Sequence, residues 1–214
     1  MHSRAPVGMA IHGTGVVALL LWTAAARGGE PEMGGQMARE AIAICQEADL
    51  LPASDRAATW AAGLARAEEA VKADPQDAVA HFAIFCNLGK GLKSSSAWKL
   101  FSVIVDLRRA RTELDVALTL APNYPAALAA KGAMLVQLPR LFGGDPPEGV
   151  RLLESAVALR PEDPTLRLEL AKVLETSGQR DAAHEQASIA VGLLERAGPA
   201  NELAGARTFV ASVE

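Results

Sequence analysis

Aromatic side chains are scarce in this chain of 214 residues, which has three Trp, one Tyr and five Phe although half of it is apolar. Strands favour aromatic and β-branched residues, so the scarcity argues against a β-sandwich. The apolar mass is Ala, Leu and Val, which suits close-packed helices. Two cysteines are too few for a structural zinc site or a dense disulfide scaffold. Basic residues do not predominate either: 21 Lys and Arg against 25 Asp and Glu leave a net charge of −4. That balance lacks the overall basic footprint of a nucleic-acid binder. No apolar run reaches the roughly 18–20 residues that a membrane-spanning helix needs.

The apolar run that is present, Gly13–Ala26 (GTGVVALLLWTAAA), follows Arg4 and ends on Ala24-Ala25-Ala26, small residues of the kind signal peptidase accepts. Residues 1–26 are therefore expected to be a secretory signal peptide, with a retained anchor as the alternative. The product would be exported, periplasmic or extracellular, with no membrane span once the segment is cleaved. A lipid anchor would need a Cys at the cleavage site, and the first is Cys45. The Gly-rich stretch GGEPEMGGQ marks 27–35 as a flexible leader. Only His81 and His184 then remain, too far apart to suggest a metal site, and no metal or cofactor is expected.

The remainder, 36–214, reads as one helical domain built on a repeat. AEEAVKADPQD, LDVALTLAPNY and LESAVALRPED align on Pro75, Pro122 and Pro161. Five residues before each Pro stands Ala (Ala70, Ala117, Ala156). Eight before stands an apolar residue (Ala67, Leu114, Leu153), and twelve before a small one (Gly63, Ala110, Gly149). Beyond Pro122, Leu128, Gly132 and Leu135 continue the pattern. Beyond Pro161, Arg167, Leu170, Ala171 and Leu174 do, with Ala183, Ala187 and Ala190 on the following helix. This spacing resembles the tetratricopeptide repeat (TPR), a helix–turn–helix of about 34 residues. The resemblance implies an all-α, TPR-like α-solenoid of about four hairpins with a C-terminal capping helix. Small residues would let the axes approach while Leu and Val fill the seams.

The caps agree with that layout. Asp145-Pro146-Pro147-Glu148 and Asp163-Pro164 place a carboxylate at the N-cap and proline in the first turn, and Gly178 suits a C-cap. The expected helices are Gln36–Leu50, Asp55–Ala73, Asp77–Leu88, Trp98–Leu120, Tyr124–Gln137, Pro146–Leu159, Pro164–Thr176, Arg180–Ala197 and Ala200–Ser212.

The prolines are farther apart than 34 residues, so two insertions are expected, and insertions in repeat proteins map to loops on one face. The longer covers 89–103. The stretch from Lys90 to Arg111, which begins in it and runs past it, carries Lys90, Lys93, Lys99, Arg108, Arg109 and Arg111 against Asp106 alone. Such a patch on an otherwise acidic chain would receive an anionic ligand or acidic partner, or dock onto acidic neighbours within the fold. Trp98 is either a core plug or the aromatic wall of a site. Gly89-Lys90-Gly91 does not have the spacing of a phosphate-binding loop. The shorter insertion, 138–146, carries Arg140, Leu141, Phe142 and a Gly-Gly-Asp turn, and is expected to fold back and bury Phe142.

In the TPR fold the first helix of each unit lines the concave face. That face would present Val79, Phe82, Ala83, Cys86 and Lys90, then Ala126, Ala129, Ala130, Ala133 and Gln137. This is either an apolar groove for a partner or ligand, or a surface covered by the long insertion. Cys45 and Cys86 fall on neighbouring first-type helices, so they are either a disulfide or two buried thiols. His184-Glu185 is a surface pair, and no motif gathers a nucleophile, base and orienting group. A non-enzymatic scaffold that binds a partner protein is therefore expected, with Phe82, Lys93, Trp98, Lys99, Arg108, Arg109, Arg140 and Phe142 as candidate binding residues.

The string LPRLFGGDPPEGVRLLESAVAL, 138–159, also resembles a segment of the TRAP transporter T-component family and one of the regulator-of-microtubule-dynamics family. The former resemblance implies a periplasmic accessory protein of solute transport that can oligomerise and bind a small apolar ligand. Members of that family are typically lipid-anchored, whereas this chain has no Cys to carry a lipid.

Overall fold

The computed structural model describes residues 34–93 and 100–213, with the side chains of 92, 93, 100–104 and 197 outside that description. Residues 1–26 lie outside it, as do 27–33 of the leader. Among the described residues the chain is helical throughout: α1 (Gln36–Glu47), α2 (Ala53–Ala73), α3 (Ala78–Lys93), α4 (Leu100–Leu120), α5 (Pro125–Gln137), α6 (Pro146–Leu159), α7 (Pro164–Thr176), α8 (Arg180–Ala197) and α9 (Ala200–Val213). Short 3-10 turns cover Ala48–Leu50 and Arg140–Phe142. Helices pair as α1/α2, α3/α4, α5/α6 and α7/α8, each hairpin packs on the next, and α9 lies on α8. The fold is a TPR-like α-solenoid. No described helix is long and apolar enough to cross a membrane.

The repeated small and apolar positions are the seams. Ala67, Ala70, Ala110, Leu114, Ala117, Leu153 and Ala156 are all buried, as are Gly63 and Gly149. A hairpin hides only one side of each helix, so stacking is what removes this apolar area from water. At the crossing of α5 and α6 the backbones touch. A Cβ at Gly132 would lie 2.5 Å from the Gly149 carbonyl oxygen, and one at Gly149 2.6 Å from that of Gly132. Only glycine admits that approach. Between the second and third hairpins the filling is instead aromatic. Phe82 meets the edge of Tyr124 at 5.1 Å and stacks on Phe85 at 5.8 Å.

The termini follow local chemistry. Asp145 Oδ1 accepts the Glu148 N–H, and Asp163 Oδ1 accepts those of Thr165 and Leu166, each before a proline-started helix. Gly178, at φ +80°, closes α7 in a left-handed turn. Asp77 has a double role. Its Oδ1 caps α3 through Val79 and Ala80, while Oδ2 accepts the Gly35 N–H at 2.6 Å. Residues 34 and 35 of the expected leader are thus fastened to the domain.

Helix boundaries agree with expectation to within two residues except at two ends. α1 stops at Glu47, because residues 48–50 tighten into a 3-10 turn before Pro52. The larger difference is in the long insertion, most of which lengthens the second hairpin instead of forming a loop. α3 runs five residues past Leu88, while residues 100–103 are helical as expected of a helix over Trp98–Leu120. No proline interrupts the segment, and neither Gly89 nor Gly91 stops the helical bonding.

Candidate functional site

The basic segment is compensated from within the fold. Lys90, near the end of α3, pairs with Asp49 in the turn after α1. Arg109 on α4 reaches Glu68 of α2 at 2.5 Å and faces Glu113 at 3.9 Å. Arg111 donates from Nη1 to the Phe142 carbonyl at 2.9 Å. Arg108 is exposed. Lys93 ends α3 with its side chain outside the description, and Trp98 and Lys99 lie outside the described residues altogether. Three of the six basic residues, Lys90, Arg109 and Arg111, thus become ties joining the second hairpin to the first and to the 138–145 loop.

One tie was not legible in the sequence. His81, 8% exposed, places Nδ1 2.6 Å from Glu113 Oε2 and Nε2 3.1 Å from the Pro75 carbonyl. Both ring nitrogens therefore face acceptors, and Glu113 in turn faces Arg109. The residues stand 32 apart in sequence, so no periodicity announces them. The sequence instead drew attention to the adjacent His184 and Glu185. Glu40 and Arg66 form another inter-helix pair at 2.5 Å. The hydrogen bond from Arg66, reinforced by one from Gln36, holds the Glu40 carboxyl below its ordinary value. The same bond raises Arg66.

The apolar face counted along α3 is core, which corrects the placing of Phe82 among the binding residues and decides against the groove alternative there. Val79 and Ala83 are buried, and Phe82 is 9% exposed against Tyr124 and Phe85. α3 is flanked by α1, α2 and α4, so a helix that is apolar on most sides is enclosed on most sides. On α5, Ala129 is buried, Ala126, Ala130 and Ala133 are half-buried, and Gln137 is exposed. Cys45 and Cys86 form a disulfide with their Cα atoms 6.2 Å apart, joining α1 to α3.

Phe142 is not buried, a second correction. It is 63% exposed and Leu141 89%. The loop is shaped by its backbone. Phe142 N–H donates to Pro139 O at 2.8 Å, Gly143 N–H to Arg140 O at 3.0 Å, Gly144 N–H to Pro139 O at 3.1 Å and Asp145 N–H to Leu135 O at 2.9 Å. Gly143 takes φ +83°. With its carbonyl held by Arg111, the backbone at Phe142 is fixed at the surface of the loop. Arg140, beside it, is exposed.

Two hollows open on the C-terminal half. One, of about 350 Å³, lies between α6, α7 and α8 over Val157, Leu170 and Leu174, with Glu154, Arg167 and Gln186 at its rim. The other, of about 540 Å³, is bounded by Val136, Pro146, Pro147, Val150 and Thr176. Arg167 is held by the Pro161 carbonyl and the Gln186 side chain, each at 2.7 Å. Among the described residues no group of three or more His, Cys, Asp or Glu is placed to hold a metal ion.

Comparison with solved structures returns helical-repeat proteins. MamA (residues 41 to the end) from Desulfovibrio magneticus RS-1 is 20% identical, with a TM-score of 0.48 over 84% of this chain and 94% of that one. TTC0263, a TPR protein of Thermus thermophilus, is 19% identical, with a TM-score of 0.43 over 81% and 98%. YrrB, described as a TPR protein with an unusual peptide-binding site, is 18% identical, with a TM-score of 0.35 over 72% and 86%. No family model and no curated protein sequence matches the chain. The likeness of 138–159 to the transporter-associated family therefore rests on those residues alone.

Proposed function

We propose that the protein is an exported interaction scaffold whose work is to hold a partner protein on a stiff stack of helical hairpins. The observation that carries this reading is how its polar groups are used. Lys90, Arg109, Arg111 and His81, the groups best placed to form a reactive or ligand-binding cluster, are instead engaged in ties within the second hairpin, to the first hairpin and to the 138–145 loop. What faces water in a fixed position is apolar: Leu141, Phe142 and the floors of the two hollows. Fixed apolar surface favours association, because burying it on a partner releases water at little ordering cost.

Export is supported by the Gly13–Ala26 run and by the Cys45–Cys86 disulfide, a bond that persists in oxidising compartments. The test is a fusion of residues 1–35 to an alkaline phosphatase lacking its own leader, an enzyme active only where disulfides form. Activity in the periplasm of a bacterial host is expected, with cleavage after Ala26 read by mass spectrometry of the released product. A fusion that stays inactive in the cytoplasm contradicts export.

A further inference from the structure

We infer that the 138–145 loop is a docking knob: Leu141 and Phe142 take up an apolar segment of another protein whose flanking carboxylates meet Arg108 and Arg140. This rests on the scaffold reading and adds to it the surface and the chemistry of the partner.

Large apolar side chains standing this far into water in a flexible loop would signify little. Here the loop is not slack. Four backbone hydrogen bonds, a left-handed Gly143 and the Arg111 bond to the Phe142 carbonyl fix the turn that presents them. Gly144 has no room for a side chain against the Leu138 carbonyl, so the path depends on both glycines. A chain that needed only to connect α5 to α6 had simpler turns to use. An aromatic on a pre-ordered backbone suits an interface, since little backbone freedom is lost when a partner covers it.

The charge around the knob selects the partner's sign. Arg140 belongs to the same 3-10 turn, and the Arg111 guanidinium lies beneath Gly143. Arg108 is one helical turn from Arg111 on α4, at the spacing that makes neighbours on a helix surface. Three carboxylates of this end of the molecule are already engaged: Asp145 with the Glu148 N–H, Glu148 with Arg151, and Asp115 with Lys131. Among the described residues no carboxylate engages Arg108 or Arg140. A partner bearing Asp or Glu beside its apolar residues is therefore drawn to this end of the molecule, and a basic one is repelled.

The test uses the full-length, disulfide-bonded protein as bait for a random peptide library displayed on phage, followed by affinity measurement on synthetic peptides. The expected selection is peptides with an aromatic or Leu flanked by Asp or Glu. Leu141→Ser with Phe142→Ser is expected to weaken them about 30-fold, and Arg108→Glu with Arg140→Glu about tenfold, an effect that shrinks as salt rises. Leu159→Ser, at an exposed apolar position elsewhere, should leave affinity unchanged, and all variants should keep the parent melting temperature. Selected peptides indifferent to the Leu141/Phe142 pair would overturn the knob and leave the scaffold reading intact. Peptides without carboxylates would overturn the partner's chemistry. Failure to enrich any peptide would overturn both. A dimer in sedimentation velocity that dissociates on the same double substitution would show the occupant to be a second copy, and would equally overturn the proposal.

Discussion

The two ends of the solenoid are sealed by different means. At the N-terminal end, α1 and the turn after it bury Ala38, Ala41, Cys45 and Ala48, small side chains that bring α1 close to α3 but remove little apolar area. What holds that seam is specific. The Cys45–Cys86 bond crosses it, Asn87 donates to the Ala41 carbonyl, and Asp77 accepts from Gly35. At the C-terminal end, Leu153, Leu166, Leu170, Val173 and Leu174 interlock across α6 and α7 with Ala183 of α8, and no covalent tie is present. The first seam is thin and stapled, whereas the second is thick and held by hydrophobic burial. The lesson is that one repeat pattern tolerates both solutions, and that only the first depends on redox conditions.

The comparison breaks most visibly at the staple. Replacing Cys45 and Cys86 together by Ala is expected to cost about 4 kcal/mol, the chain-entropy value for so long a loop. Denaturant unfolding checks this, and in reducing buffer the parent and the variant should converge. At the other seam, Leu153→Ala removes a fully buried side chain and should cost about 3 kcal/mol through the cavity it leaves, in oxidising and reducing buffer alike. Gly132→Ala forces a methyl against the Gly149 carbonyl and should cost about 2 kcal/mol, read as a lowered melting temperature.

The smallest effect is electrostatic and belongs to the first hairpin. Glu40 is held below its ordinary value of 4.5 by Arg66, so its contribution is present above that value. It fades as pH falls through the lower value of the folded state. Glu40→Gln should flatten the acid limb of the stability profile below about pH 4.5 and leave neutral stability nearly unchanged, as expected for an exposed pair.

Most of the helical frame was legible because it depends on local signals. The Pro-anchored spacing marked Ala70, Ala117 and Ala156 as seam residues, and Asp145, Asp163 and Gly178 marked helix ends that the structure places where expected. Side-chain surroundings were less legible, because they depend on which helices flank which. Phe82 reads as a groove residue if α3 has one open face, yet α1, α2 and α4 enclose it and Tyr124 meets its ring. Phe142 reads as a buried residue by its chemistry, yet the backbone bonds of its own turn and the Arg111 tie hold its stretch of chain at the surface. The basic count over 90–111 left a free patch and docking within the fold both open, and the acids that engage part of it, Asp49, Glu68 and Glu113, lie partly on other hairpins. No linear reading adds those charges together.

Native-state hydrogen exchange, followed by mass spectrometry with and without reductant, tests the stapled-seam account most directly. Reduction is expected to speed exchange in Gln36–Ala73 while leaving Pro146–Ala197 at its oxidised rate. Equal acceleration along the whole chain, or none in the first hairpin, would contradict it.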